Sequence, residues 1–260
     1  MIFVFPILVS AAHHEAVASK SPDESLAELV AGNQRFVSDQ AQHPRSDKER
    51  LKETSINGQH PFAAVLACSD SRVPVEILFD QGFGDLFVVR VAGNSSGDDE
   101  MGSLEYCADH LGSSLLLVLG HGKCGAVTAA AQHAHTESFL TDLVTRIDPA
   151  VQRVKNANTD KNIDDLIPDV IEANTWLAVE TILLKSEILR KFVKDGNLKV
   201  VAAIYDIETG KVDFLGEHPK QDEFLKTSTS FQPVIKAVPT RVPNRVYYRG
   251  PDGRLYLRRR

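Results

Sequence analysis

The sequence is poor in cysteine, and three thiols in 260 residues cannot build a disulfide framework. A small secreted scaffold stapled by bridges is therefore excluded. An odd count, with two of the three in ligand-like neighbourhoods, points to metal or nucleophilic chemistry with one spare thiol. An excess of positive charge is also missing. The 29 Lys and Arg stand against 35 Asp and Glu, a net charge of −6. The chain as a whole is thus not built to bind nucleic acid or an anionic membrane. Nor is there an apolar run long enough to span a bilayer: Ile2–Val9 is too short, and no stable membrane insertion is expected. What remains is an ordinary globular composition, 43% hydrophobic and 25% charged, in a chain long enough for one large domain or two small ones.

The first residues, MIFVFPILVSAAHHEA, end their apolar run in Ser10, Ala11 and Ala12. They resemble the second half of a secretory signal with a cleavage site near Val9-Ser10-Ala11, although no Lys or Arg precedes the run. Residues 1–20 are therefore expected to be a leader. An exported or periplasmic protein is the expectation, and a cytoplasmic one the alternative.

Ser21-Pro22-Asp23-Glu24 is a helix start: a cap, a proline at the first helical position and a capping-box glutamate. Apolar residues at helical spacing carry it to about Gln40. A more polar helix fits from Asp47 to Gly58. From Pro61 the pattern changes. PFAAVLAC (61–68), LFVVRVAG (86–93), SLLLVLGH (114–121) and LKVVAAIYD (198–206) are nearly continuous apolar runs, which suits strands buried on both faces of a parallel sheet. Helical stretches are predicted at about 74–80, 99–111 and 124–135. A long helical section from Glu137 to Lys194 follows, broken near 156–162 and at Pro168, with Gly196 as its stop. IETG (207–210) turns the chain into KVDFLG, an antiparallel edge strand. The fold class is α/β: a mostly parallel sheet of four strands plus an antiparallel edge strand, flanked by helices. After about residue 217 the composition becomes Pro-rich and then basic. RVYYRG-PDG-RLYLRR fits a small hairpin within a C-terminal extension, 218–260. The bland account of that extension is an appendage packed on a neighbour; the sharper one is an electrostatic contact with an acidic partner.

Two stretches carry chemistry. In ACSDSR, Cys68, Asp70 and Arg72 lie at i, i+2 and i+4. If strand geometry persists to its end, all three project to one side at the carboxyl edge of the sheet, where ligands bind in such folds. Arg72 can hold Asp70 ionised by a bidentate pair. A buried structural cysteine beside a loop salt bridge is the plain alternative. A phosphatase-type nucleophile fits poorly, because the arginine stands at +4 and the loop lacks glycine. The second stretch, LLLVLGHGKCGAV (115–127), contains a literal G-x-G-x-x-G, the string of a dinucleotide turn. That motif needs a second strand about twenty residues on, yet Glu137–Ala157 has a helical apolar period. As a metal site the parts fit better. His121 ends a strand, and Cys124 opens a helix whose N-terminus favours the thiolate. Cys68, His121 and Cys124 match a tetrahedral zinc site with one position open, and the glycines let the backbone turn around the ion.

Cys-x-Asp-x-Arg followed by His-x-x-Cys, here CSDSR and HGKC, resembles the β-class carbonic anhydrases. The resemblance extends through GQHPFAAVLACSDSRV, GDLFVVRVAGN, GSLEYCADHLG, LVLGHGKCGAV and AAIYDIETGKVDFLG, and covers about residues 22–217 of a domain set at 21–217. It implies Zn2+ held by Cys68, His121 and Cys124. Asp70 would pair with Arg72 and accept a hydrogen bond from the zinc-bound water; in a closed form Asp70 becomes the fourth ligand. Gln59, Phe87 and Tyr106 match substrate-pocket residues of the plant-like, open-site subgroup, and Ala92 stands where that subgroup often has Val. A bicarbonate-regulated subgroup carries Trp where this chain has Val65, so the open form without bicarbonate allostery is expected. The implied reaction is reversible hydration of CO2 to bicarbonate and a proton by zinc-bound hydroxide. Carbonyl sulfide or carbon disulfide hydrolysis is the alternative, and an inactive zinc module a lesser one. The partners that the resemblance implies are this small-molecule substrate and a second copy, as a homodimer or dimer of dimers. His60 is a conceivable proton relay, although exposure or packing accounts for most histidines. Cys107 fits a packed helix face.

Overall fold

The computed structural model describes residues 20–227 and the backbone of 247–249 and 255–257. Of the expected leader, only Lys20 falls among the described residues. Helix α1 (Pro22–Val37) starts where the sequence places it. The Ser21 hydroxyl accepts from the Glu24 N–H, the Glu24 carboxylate accepts from the Ser21 N–H at 2.8 Å, and Pro22 takes a position whose N–H would have no partner. It stops at Val37, short of the expected Gln40. Helix α2 (Lys48–Asn57) is capped by Asp47 and ends at Gly58, and it buries no residue, as its polar sequence requires.

The sheet is built from β1 (Ala63–Ala67), β2 (Leu86–Arg90), β3 (Leu115–His121), β4 (Lys199–Tyr205) and β5 (Val212–Gly216). Between them run α3 (Val75–Leu78), α4 (Asp98–His110), α5 (Gly125–Ala131), α6 (Phe139–Thr145), α7 (Asp148–Ala157), α8 (Ile167–Lys185) and α9 (Glu187–Lys194). The strand order is β2-β1-β3-β4-β5; the first four are parallel and β5 is antiparallel to β4. This is the α/β architecture expected from the sequence. From β1 the chain moves out to β2, then returns to the other side of β1 for β3. The order reverses there, so the crevice at the carboxyl ends of β1 and β3 is a topological switch point, where ligands bind in such sheets.

Alternate residues of each strand feed opposite faces. Ala63, Val65, Leu115, Leu117 and Val201 join one core with Leu29 and Phe79. Ala64, Leu66, Leu116, Val118 and Val200 join another with Leu104 and Ile182. Both faces are dry, which explains the unbroken apolar runs. A third cluster, with Val127, Ile147, Val151 and Val170, contains Cys68 and Cys124.

The long helical section breaks near 156–162 as expected, with α7 ending at Ala157 and a 3₁₀ turn at Ile163–Leu166 leading into α8, and it breaks in addition between α6 and α7 and at Ser186. Pro168 does not interrupt a helix; it sits in the first turn of α8, as Pro149 does in α7. The stop between α8 and α9 is Ser186, whose hydroxyl caps α9 by accepting from the Leu189 N–H. After β5, α10 (Gln221–Leu225) packs Phe224 and Leu225 on the second core. The compact unit thus runs past residue 217, where the sequence placed its end, and the chain divides after Ser230. In the other unit, β6 (Tyr247–Arg249) and β7 (Leu255–Leu257) pair antiparallel, with Tyr248 opposite Tyr256; Pro251-Asp252-Gly253 lies outside the described residues. Among the described residues no helix is long and apolar enough to cross a membrane.

Candidate metal centre

The register of β1 on β3 pairs Ala67 with Leu119. Cys68, the next residue of one strand, therefore lies level with Gly120, and His121 one step further on the other. A turn returns the chain so that Cys124 becomes the N-cap of α5. The ligand atoms of Cys68, His121 and Cys124 all lie within 4.8 Å of one another, and all three residues are buried. The two sulfurs are 3.9 Å apart. That is far beyond a disulfide bond and close to the roughly 3.8 Å between two thiolates on one tetrahedral zinc.

The donor set suits a cation. His121 places Nδ1 2.9 Å from the Gly122 carbonyl, so the proton belongs there and Nε2 keeps a free lone pair. Nε2 is buried and has no hydrogen-bond partner among the described residues. A bare buried acceptor costs about 1–3 kcal/mol, and two thiols and an imidazole are ligands of the type zinc selects. The residues fit the ion that the family resemblance implies.

The thiols titrate as a pair. Cys68 is lowered, because the Cys124 thiol donates to its sulfur, aided against burial by the Gly93 N–H. That N–H donates to Sγ at 3.2 Å. Cys124 is pushed up by the neighbouring Cys68 and by burial. The first turn of α5 does act on Cys124 as expected, since the N–H groups of Ala126 and Val127 lower it, but the adjacent sulfur outweighs them.

Beside the trio, the strand geometry expected through Arg72 does not persist. β1 ends at Ala67, and a turn closed by Val73 N–H to Asp70 O brings Asp70 and Arg72 together. Arg72 donates from Nε to Oδ1 at 3.0 Å and from Nη2 to Oδ2 at 2.8 Å, and its backbone N–H also reaches Oδ1. The guanidinium holds the Asp70 carboxyl well below the usual carboxylate range. A residue unmarked by the sequence motifs fastens this loop. Arg90, at the end of β2, donates to the Cys68 carbonyl at 3.0 Å and to the Asp70 carbonyl at 2.6 Å. A lone cation closing the apolar strand LFVVR was the available signal.

Of the expected substrate-pocket residues, Ala92 lies near the trio, in the 3₁₀ turn Ala92–Asn94 that also supplies Gly93. The other three are not brought there within one chain. Phe87 pairs with Ala64, four residues short of Cys68, about 13 Å back along the strand. Tyr106 on α4 is 46% exposed and packs its ring on Phe87. Gln59 and His60 are exposed at the amino end of β1, the edge opposite the trio. Strand pairing, invisible in a residue count, separates them. His60 is no relay for the trio of its own chain. Cys107 is buried, its thiol pushed up to about 11 by burial.

The glycines of GHGKCG also work differently from expectation. The residue that takes the left-handed turn is Lys123, at φ 56°. Gly120 is needed for packing: a Cβ there would stand 2.1 Å from the Thr175 hydroxyl on α8. At Gly93, φ is +75° and a Cβ would press on Ile147.

Fold and site together define an α/β protein equipped for a metal ion, with a locked carboxylate beside it. The carbonic anhydrase family model matches residues 63–212. "Carbonic anhydrase 2" of Mycobacterium tuberculosis is 31% identical over 195 residues, 74% of this chain and 91% of that protein. The carbonic anhydrase of Mycolicibacterium smegmatis is 34% identical over 199 residues, 75% of this chain and 94% of that one. Among solved structures, the β-carbonic anhydrase CafA of Aspergillus fumigatus superposes with a TM-score of 0.62 at 25% identity, covering 77% of this chain and 95% of its own. The Coccomyxa enzyme, solved with acetazolamide, gives 0.59 at 26% identity, covering 73% and 86%. The chain belongs to the β-carbonic anhydrase family, and it is a carbonic anhydrase enzyme.

Proposed function

We propose that the protein is a zinc enzyme that reversibly hydrates CO2 to bicarbonate and a proton through an open, plant-like site. The observation that carries this is the buried Cys68–His121–Cys124 trio with a bare Nε2, beside a carboxylate kept ionised by Arg72. These three residues would hold the ion. Zinc supplies a Lewis acid that makes water nucleophilic near neutral pH. Two thiolates offset more of its charge than imidazoles would. Asp70, with a lone pair to spare beyond its Arg72 bonds, would accept a hydrogen bond from an O–H at the site and orient that oxygen toward CO2. The open form is supported by those same bonds, since Asp70 must break its contacts with the Arg72 side chain and backbone before it can act as a ligand. Arg90 keeps the two carbonyls of the loop in place while this happens.

The pocket assigned by resemblance to Gln59, Phe87 and Tyr106 would be completed by a second copy, consistent with a homodimer or dimer of dimers. The exposure of Tyr106 and Gln59 supports this. We also propose export, on the strength of the apolar Ile2–Val9 run and the small residues after it. N-terminal sequencing of the native protein tests it, and an intact Met1 would overturn it.

The central test is stopped-flow CO2 hydration with metal analysis on one sample. One zinc per chain and rapid hydration are expected, both lost in Cys68→Ser or His121→Ala. Stoichiometric zinc with full turnover in either variant would sink the site, and turnover of carbonyl sulfide without CO2 hydration would replace the substrate.

A further inference from the structure

A cavity of about 190 Å³ lies away from the trio, between the segment after β2 and helices α7 and α8. It has room for about six waters at roughly 30 Å³ each. Ser95 and Ser96 line it from one side, Arg146 and Pro149 from another, and Asn174 and Lys185 from α8. Ser95 is 5% and Ser96 8% exposed, and neither Oγ has a hydrogen-bond partner among the described residues. Two adjacent orphan hydroxyls in a protein interior require an explanation. The charged side chains that line the cavity, Arg146 and Lys185, are both cationic. Lys185 makes no ion pair among the described residues. Arg146 has one ion-pair neighbour, Glu100, at a loose 3.6 Å, and that carboxylate is already engaged by the Gly97 N–H at 2.8 Å. No carboxylate lines the cavity. Two free O–H donors, a guanidinium with donors to spare and an unpaired ammonium line one cavity, the hydroxyls buried and the two cations exposed.

We propose that this cavity is a binding site for a small tetrahedral oxyanion of the phosphate or sulfate type, held by Ser95, Ser96, Arg146 and Lys185. The chemistry is that of charge-assisted donors on oxyanion lone pairs, with Arg146 offering a planar fork and Lys185 a point charge. The site is connected to the metal centre by two hydrogen bonds. Asn174, in the cavity wall, donates to the Gly93 carbonyl at 2.8 Å, and the Gly93 N–H donates to Cys68 Sγ. Occupancy of the cavity is thus felt at a thiolate ligand. The inference is independent of which gas the enzyme hydrates.

The test uses the full chain with its metal and inorganic phosphate, with chloride at matched ionic strength as control. Phosphate should raise Tm saturably, by about 5 °C or more at a hundredfold excess over Kd, where chloride does not. Lys185→Gln, at an exposed position, and Ser95→Ala should each weaken phosphate about tenfold or more, with zinc content unchanged. In 15N-labelled protein the Gly93 amide resonance should move with the same Kd. A rise reproduced by chloride overturns the site. So does a rise that survives both variants but disappears in Cys68→Ser, since it would place the anion on the trio. An unmoved Gly93 resonance at saturating phosphate overturns the connection.

Discussion

Asp70 has a role that its charge alone does not explain. Three donors of Arg72 hold it, and they keep its carboxyl well below the usual carboxylate range. Asp70→Asn removes the charge but keeps the shape. Zinc should be retained, because the trio is untouched, while CO2 hydration should fall by orders of magnitude in stopped-flow assays. Retained turnover would remove Asp70 from the reaction. At this scale the sequence was readable for a reason. Cys68, Asp70, Arg72, His121 and Cys124 are chemically conspicuous types packed into two short strings at strand ends. Arg90 escaped notice because its contribution is to two backbone carbonyls, and nothing in LFVVR names the carbonyls of another strand.

Helices and strands were legible to different degrees. Strands declared themselves as unbroken apolar runs, and capping signals located the starts of α1 and α2. The α6–α9 section was harder, because a helix can restart at once when the break carries its own cap, as Ser186 does for α9. Gly120 was misread for a similar reason: its partner, Thr175, lies 55 residues on in another element. Gly120→Ala should cost about 1–3 kcal/mol in urea melts, since the added methyl overlaps a buried hydroxyl, and Thr175→Ala should recover part of it. A further tie between elements is Asp80. Burial raises its pKa, but the Arg35 guanidinium at 2.6 Å and the N–H groups of Gln42 and His43 outweigh burial and lower it. A lowered carboxyl contributes stability above about pH 4, the unfolded value, and loses it as pH falls toward the folded value. Asp80→Ala should therefore cost about 3 kcal/mol at pH 7 and less at pH 3.5, measured by denaturant melts at both.

At the scale of the whole molecule, a single chain gathers the metal-type ligands and the Asp–Arg pair but leaves Gln59, Phe87 and Tyr106 elsewhere. Residue spacing could not reveal this, because parallel pairing decides which edge of the sheet each residue reaches. If a second copy completes the pocket, light scattering should give a dimer or tetramer, and Tyr106→Ala should slow hydration with zinc content intact. A fully active monomer would refute the arrangement. Cys68 and Cys124 stand 56 positions apart. The stretch between them includes β2, α4 and β3, so an ion bridging the two sulfurs would act as a cross-link closing a large ring of chain. By the loop-entropy relation used for covalent bridges, such a tether is worth about 4 kcal/mol against the unfolded ensemble. Removing the metal with a chelator should lower Tm by about 10 °C, seen by calorimetry. The ion that would serve the reaction would thus also hold the two halves of the sheet together in a chain that has no disulfide to do so.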